Sequence, residues 1–243
     1  MEAVYAARFR ATSKVCLRVP RTIPCHVTVT TLVTGFEAFG QLQVNPSALI
    51  VDHVRGTAPQ GMLCEVLRTE FIAAEARIRE LIRAYQPATA ICVGVAPPAA
   101  EVRLERLAVN LDNARLADNA GYQPVEIPIV PNGRLTLSAT LPLERMHAAL
   151  VANGIPASIS DDAGRFVCNH VYYAALDEIA RDGLPTRCGF IHVPLCTGIG
   201  NADDSEAKSP LGVAELIAAV ERCIAAAAAP EAVGAGTVFS EVQ

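Results

Sequence analysis

Apolar runs alternate with amphipathic stretches along the first half of the chain, which predicts an α/β fold. Val27–Val33, Met62–Leu67 and Ala88–Val93 are short, mainly apolar runs, as is typical of strands in a buried sheet. The stretch from Asn45 to about Val54 opens with Asn-Pro-Ser, a favourable helix start. This alternation predicts a single three-layer α/β/α domain with a mixed, mostly parallel, twisted sheet.

A second helix is predicted for Phe71–Tyr85, where apolar and charged residues take mostly opposite sides. The apolar side is formed by Ile72, Ile78, Leu81, Ile82 and Tyr85. The charged side is formed mostly by Glu75, Arg77, Arg79, Glu80 and Arg83. We expect the apolar side to pack on the sheet and most of the charged side chains to point away from it.

The second half of the chain continues the same alternation. The predicted elements are a strand Arg106–Leu111 with Glu105 at its start, a helix Pro142–Ala152, a strand Ala157–Ser160, a helix that contains Cys168, a strand Cys188–Pro194 and a helix from Ser209 to about Ala229. Residues 195–208 are predicted to form a polar loop. There is no internal repeat and no domain linker, so we assign residues 27–229 to one domain.

The two ends of the chain differ from this domain. Residues 1–26 carry five basic side chains against one acid, and they form no periodic element. A transit-like peptide, a poorly ordered extension and a start codon placed too early all remain open, whereas the apolar core of a secretory signal is missing. Residues 230–243 are predicted to be a mobile tail.

Composition and charge exclude several classes of function. The formal net charge is −5, which gives no reason to expect a nucleic-acid partner. No apolar run reaches the roughly 20 residues that span a bilayer, so no membrane partner is expected. The eight cysteines show neither a Cys-x-x-Cys pair nor zinc-ligand spacing with histidine, and no metal site is predicted. Because a chain of this length needs no disulfides, we expect a reducing, cytoplasmic location.

A glycine-bounded segment, Gly35–Gly40, follows the first strand and carries Phe36 and Phe39. It lacks the Lys-Ser/Thr of a phosphate-binding loop and the Gly-x-Gly-x-x-Gly pattern, so phosphate binding is not favoured. The two phenylalanines either anchor the loop on the core or form the walls of a small apolar pocket. The segment alone does not decide between them.

The stretch Ser160–Leu176 predicts a turn that delivers Cys168 to the start of a helix. A thiol in the first turn lies near the positive end of the helix dipole, which favours the reactive thiolate. The alternative is a buried cysteine that packs as a small apolar side chain.

Among the five histidines, His192 is the one placed near the carboxyl end of an apolar strand, where ligand sites of α/β sheets gather. His26 belongs to the basic extension, and His53 and His147 are expected to face solvent from helices. His170 follows Cys168 by two residues on a helix, so the two side chains should diverge. A histidine base for Cys168 and a buried structural histidine both remain open for His192.

Four motifs occur in order along the chain and are considered together. They are Gly35–Gly40 followed by Asn45-Pro46, Glu105–Asn110 with Asp112–Arg115 and Asp118-Asn119, Ala163–Asn169, and Gly189–Pro194. This series resembles the pyroglutamyl peptidase I family, which are cysteine peptidases (pyrrolidone-carboxylate peptidases). The resemblance covers about residues 27–226 and is specific because several ordered motifs coincide.

The resemblance implies a catalytic role for three residues: Cys168 as nucleophile, His192 as base and then acid, and Glu105 as the group that orients His192. It also implies substrate-binding residues, which are Phe36, Phe39, Phe166 and, near the oxyanion, Arg115. The expected function is removal of N-terminal pyroglutamate from peptides, without metal or organic cofactor, and the family allows a homo-oligomer.

One departure from the family pattern keeps two alternatives open. Where the family commonly has a glycine-rich loop, this chain has Pro97-Pro98, which removes two N–H donors and stiffens the backbone. The alternatives are a catalytically silent homologue that binds pyroglutamyl or other lactam ligands, and a hydrolase of another small amide.

Overall fold

The computed structural model describes residues 29–196 and 209–229, in which strands and helices alternate. In chain order the elements are β1 (Thr31–Phe36), α1 (Pro46–Thr57), β2 (Met62–Leu67), α2 (Phe71–Tyr85), β3 (Thr89–Ala96), β4 (Val102–Glu105), β5 (Leu107–Val109), β6 (Thr136–Ser138), α3 (Leu143–Val151), β7 (Ala157–Ser160), α4 (Val167–Arg181), β8 (Arg187–Pro194) and α5 (Val213–Ala228). Predicted segments 1–26 and 230–243, and most of the loop 195–208, lie outside the described residues.

Six strands form one sheet in the order β2-β1-β3-β8-β4-β7. The four strands β2, β1, β3 and β8 are parallel to one another, and β4 runs antiparallel to β8 while pairing in parallel with β7. The predicted mixed, mostly parallel sheet is therefore confirmed. The single antiparallel junction, between β8 and β4, places Arg103 opposite His192 and Glu105 opposite Phe190.

Helices cover both faces of the sheet and bury two apolar clusters. On one face α2 packs against α4, and on the other α5 packs against α1 and α3. Phe71, Ile78 and Tyr172 are buried on the first face, and Ile50, Met146 and Leu216 on the second. Burial of aliphatic and aromatic side chains on both faces explains why the strands are almost continuously apolar.

The first strand is displaced from its predicted position. It was expected at Val27–Val33, but β1 runs from Thr31 to Phe36, so Gly35 and Phe36 belong to the strand rather than to a loop. Gly35 allows the close approach of α1, because a Cβ there would lie 2.6 Å from the backbone oxygen of Ser47. The predicted residues 27 and 28 lie outside the described part of the chain.

The predicted strand Arg106–Leu111 is confirmed only for Leu107–Val109, and its predicted start at Glu105 is wrong, because two strands meet there. β4 ends at Glu105 in the main sheet, and β5 pairs with β6 in a separate two-stranded sheet. Arg106 lies at the break, where its N–H donates to the oxygen of Ser160 and its own oxygen accepts from Ala139 N–H. Glu105 is therefore the last residue of a short strand, not the first residue of a long one.

The predicted faces of α2 are wrong at two positions. Ile72 is 73% exposed, whereas Arg79, expected to point away from the core, is only 9% exposed. Arg79 binds the fully buried Glu178 of α4 at 3.0 Å and Asp177 at 2.9 Å. The carboxylates of α4 stabilise an arginine that would otherwise be costly to bury.

No helix among the described residues is long and apolar enough to cross a membrane.

Replacement of Glu178 by alanine is expected to lower the free energy of unfolding by about 3 kcal/mol, because Arg79 would lose its most deeply buried partner. Urea unfolding at neutral pH measures the change. Glu80→Ala on α2 is the matched control. Because Glu80 is exposed and pairs with Arg77, the free energy of unfolding should fall by less than about 1 kcal/mol. Equal losses in the two variants would contradict this account of α2.

Candidate active site

Cys168 is the second residue of α4, directly after the turn that leaves β7. Of the six cysteines in the described residues, it alone keeps a partly exposed surface, whereas the other five are buried. Its Sγ lies against β3, since a Cβ placed on Gly94 would be 2.8 Å from that sulfur. The residue is thus partly exposed, and its sulfur lies directly over a strand of the sheet.

Burial opposes the effect that the helix start has on the thiol. It raises the pKa of Cys168 to about 12, and the nearby Cys92 and Glu105 add to the rise. The thiolate that the helix start favours is therefore disfavoured by the surroundings of the sulfur. A reaction at this sulfur needs a base that takes its proton.

His192 and Glu105 form a buried hydrogen-bonded pair next to this thiol. Nδ1 of His192 lies 2.8 Å from Oε1 of Glu105, and the two residues are 5% and 0% exposed. His192 on β8 is the register partner of Gly94 on β3. The strand pairing therefore brings the imidazole within one strand of the sulfur over Gly94.

Glu105 occupies one ring nitrogen of His192 and determines what the other can do. A carboxylate at Nδ1 accepts the N–H there, which leaves Nε2 as the nitrogen that can accept a proton. The second carboxylate oxygen of Glu105, Oε2, is buried without a hydrogen-bond partner among the described residues. Tyr172 of α4 donates its phenol O–H to the backbone oxygen of Glu105 at 3.0 Å, which ties this strand end to the helix of Cys168.

The three phenylalanines predicted for substrate binding lie in two different settings. Phe36 is buried at the end of β1 and packs against Phe190, with ring centroids 6.3 Å apart. Phe39 and Phe166 are partly exposed and pack on each other at 5.4 Å. Phe166 precedes Cys168 by two residues at the start of α4, and Phe36 lies in the core rather than in a loop.

A known protein family matches the part of the chain that contains Glu105, Cys168 and His192. The family model for pyroglutamyl peptidase matches residues 29–230. The chain belongs to the pyroglutamyl peptidase family.

Relatives and solved structures agree with this family assignment. The pyrrolidone-carboxylate peptidase of Gloeobacter violaceus is 42% identical over 165 residues, which are 67% of this chain and 80% of that protein. Pyrrolidone-carboxylate peptidase 1 of Ralstonia nicotianae is 42% identical over 167 residues, 68% of this chain and 78% of that protein.

Two solved structures match the fold over most of its length. Pyroglutamyl peptidase I from Bacillus amyloliquefaciens has a TM-score of 0.76 at 37% identity, covering 81% of this chain and 93% of that chain. A mutant pyrrolidone carboxyl peptidase from Pyrococcus furiosus has a TM-score of 0.74 at 33% identity, covering 81% and 97%. The α/β architecture of this family member is therefore that of pyroglutamyl peptidases.

Neither Arg115 nor Asp118, two residues of the acid-bearing motif, forms a hydrogen bond with Cys168 in the described residues. Arg115 is exposed, and no hydrogen bond or salt bridge joins it to the other described residues, so its role near the oxyanion stays a prediction. Asp118 binds the backbone N–H of Phe71 at 2.9 Å and those of Ala120 and Tyr122. It therefore caps α2 from a distant loop.

The remaining histidines of the described residues divide between surface and interior. His53 is exposed, as predicted, 3.5 Å from Glu221. The prediction for His147 is wrong, because it is partly buried with Nε2 3.0 Å from the oxygen of Ala157. His170 is buried and lies between the carboxylates of Asp112 and Glu75, contacts that are 58 and 95 residues apart in sequence.

No local pattern in the sequence indicates the close contact between Gly94 and the sulfur of Cys168. Pro97-Pro98, the departure from the family pattern, form a turn after β3, which is closed by Ala99 N–H donating to the oxygen of Ala96 at 2.9 Å. In the described residues no three His, Cys, Asp or Glu side chains are arranged to hold a metal ion.

A cavity of about 650 Å³ lies away from these residues, between β6, the end of α4 and the start of β8. Arg187, which lines it, begins the strand near whose other end His192 lies. We assign it no part in the chemistry at Cys168.

Proposed function

We propose that this protein is a cysteine exopeptidase that hydrolyses the amide bond after an N-terminal pyroglutamyl residue. The observation that carries the proposal is the placement of Cys168 over Gly94, one strand from the Glu105–His192 pair, in a chain of the pyroglutamyl peptidase family. Its substrates are peptides or proteins that begin with pyroglutamate.

His192 and Glu105 activate the thiol in this proposal. Glu105 accepts the N–H at Nδ1 of His192, fixes the tautomer and stabilises the imidazolium that forms. Nε2 takes the proton of Cys168 as the sulfur attacks, so the thiolate exists only as it forms the new bond. This coupling explains how a thiol whose pKa is raised by burial still acts as a nucleophile.

The reaction then follows the two halves of acyl transfer. The sulfur of Cys168 attacks the exocyclic carbonyl carbon of pyroglutamate, and backbone N–H groups in the first turn of α4 stabilise the oxyanion. No side chain caps this helix end, so those N–H groups are not used by a cap. His192 gives its proton to the leaving amine, and water activated by His192 hydrolyses the thioester and restores the thiol.

Apolar side chains select the lactam ring. A five-membered lactam is small, flat and uncharged, and the partly exposed faces of Phe39 and Phe166 suit such a ring. Phe36 supports the pocket from the core, where it packs on Phe190. A free N-terminal amine would lose its hydration against these walls, which excludes ordinary amino acids. Arg115 is retained as a candidate near the oxyanion.

We also propose a cytoplasmic location and a chain that works without nucleic acid or cofactor. The support is the six unpaired cysteines of the described residues, five of them buried, which suit a reducing compartment. A homo-oligomer is compatible with the family.

Hydrolysis of a fluorogenic pyroglutamyl amide tests the function. The unaltered protein should release the fluorophore. Cys168→Ser and His192→Ala should each lower kcat/KM at least about a thousandfold, because nucleophile and base act as one unit and the loss of either disables both. Cys64→Ala is the matched control, since Cys64 lies on the edge strand β2 away from the site. It should keep its activity.

Activity that survives Cys168→Ser would overturn the mechanism. Binding of a pyroglutamyl ligand without turnover would favour the catalytically silent homologue. Preferential hydrolysis of other small amides would favour the alternative of a hydrolase that acts on another small amide.

Gly94→Ala tests whether the close contact between sheet and thiol matters. The new methyl group would lie 2.8 Å from Sγ of Cys168 and 2.8 Å from Cζ of Phe190, so the sulfur and this ring must both give way, and kcat should fall about tenfold or more. Gly189→Ala on β8 is the control, because its methyl group would meet Leu141 at 2.7 Å on the other face of the sheet. It should lower the melting temperature but leave kcat of the folded protein within about twofold. Similar kcat values for the two variants would contradict the account.

A further inference from the structure

A second histidine follows the nucleophile by two residues and is bound on both sides by carboxylates. His170 is 6% exposed. Its Nδ1 lies 2.7 Å from Oδ2 of Asp112, and its Nε2 lies 3.2 Å from Oε2 of Glu75. The mechanism proposed above does not use this histidine.

The geometry favours a charged ring when both carboxylates are ionised. A neutral imidazole has one N–H, so it can donate to one of these two carboxylates and must turn a lone pair toward the other. Only the imidazolium donates to both. Burial opposes the charge, but the hydrogen bonds with Asp112 and Glu75 outweigh it and raise the pKa of His170 to about 9.

The charged groups around His170 come from helix α2 and from the segment that follows β5. Glu75 lies on α2 and also binds Arg79 at 2.9 Å, while Asp112 lies in the segment after β5. Asp112 is 4% exposed, and its other oxygen, Oδ1, has no hydrogen-bond partner among the described residues. His170 is therefore the cation that compensates Asp112, whereas Glu75 shares Arg79.

The same turn of α4 clamps the segment that leads away from Glu105. Asn169 accepts from the N–H of Val109 at 2.8 Å and donates to the oxygen of Val109 at 2.8 Å. With the His170–Asp112 bond, two consecutive residues after Cys168 hold residues 109–112 against the start of the helix. The strand end at Glu105 lies only four residues before this segment.

His170 also supports the aromatic wall. The ring of Phe71 stands edge-on to His170 at 5.3 Å and edge-on to Phe166 at 5.3 Å. Phe166 in turn packs on Phe39. A shift of the His170 imidazole would therefore displace Phe71, and through it the ring of Phe166.

We propose that charged His170 is a positioning residue: by binding Asp112 and Glu75 together, it fixes Cys168 relative to the Glu105–His192 pair and holds Phe166 in the pocket wall. The catalytic part of this inference rests on the proposed function. Loss of the proton removes one of the two hydrogen bonds and sets a lone pair against a carboxylate, so the clamp loosens on the alkaline side.

The sign of the pH effect follows from the raised pKa. The contribution of His170 to stability is fully present below its ordinary value of 6.5 and is lost as the pH rises through about 9. We expect kcat/KM of the wild-type protein to decline over the same alkaline range.

The experiment compares pH profiles of kcat/KM for the wild type, Asp112→Asn, Glu75→Gln and His170→Gln. Asp112→Asn should move the alkaline decline to lower pH, and Glu75→Gln should move it less, because Glu75 is the longer contact. His170→Gln should abolish that decline and lower kcat/KM at pH 7 at least about tenfold. His53→Gln, at an exposed histidine, is the control and should reproduce the wild-type profile.

Two readouts do not depend on peptidase activity. The imidazole resonances of ¹³C-labelled histidine, assigned with the His170 and His53 variants, should show one ring that titrates near pH 9. The rate of Cys168 alkylation by iodoacetamide at pH 7 should change in His170→Gln and Asp112→Asn but not in His53→Gln. These two measurements decide the inference even if no pyroglutamyl amide is hydrolysed.

The inference is overturned if His170 titrates near pH 6.5 in the folded protein. It is also overturned if folded His170→Gln and Asp112→Asn both keep the wild-type alkaline decline and alkylation rate. Should His170→Gln fail to fold, Asp112→Asn and the wild-type resonance still decide between the two outcomes.

Discussion

The buried hydrogen bond between Glu105 and His192 is the constraint on which the site depends. A carboxylate with no exposed surface is costly unless a partner stabilises its charge, and His192 supplies one at 2.8 Å. A neighbouring strand has to place an acid beside the end of β8. The antiparallel strand β4 does so, and its chain leaves the sheet at Arg106 as soon as Glu105 is in position.

Helix α4 connects the Glu105–His192 pair to Cys168, the proposed nucleophile. Its first turn carries Cys168, and Tyr172, one turn further along, binds the backbone of Glu105. The sulfur can approach the sheet only because position 94 has no side chain. Burial raises the pKa of this thiol, so the sulfur depends on a neighbouring base to take its proton.

How much the sequence predicted depends on whether local or distant contacts decide a feature. Strand Met62–Leu67 and helix Phe71–Tyr85 were predicted with the observed bounds, because their patterns are local. The β4–β5 break depends on pairing with β6, about 30 residues away, and no local pattern indicates it. Arg79 is buried because Glu178 lies across the helix interface, 99 residues along the chain. The family motifs supplied Cys168, His192 and Glu105 as candidates, but the clamp around His170 joins residues too distant for any spacing rule.

The two buried histidines near Cys168 show how the number of carboxylates determines what a histidine can do. Glu105 binds Nδ1 of His192 and leaves Nε2 for proton exchange, which a base requires. Asp112 and Glu75 bind both nitrogens of His170, so its proton is retained and its charge becomes part of the structure. A second acid beside His192 would hold the imidazolium and prevent it from returning its proton. With a single acid beside His170, the start of α4 would have one hydrogen bond fewer to the neighbouring segments. In the two proposals, the same type of side chain therefore serves proton transfer at His192 on the sheet and carries a fixed charge at His170 on the helix.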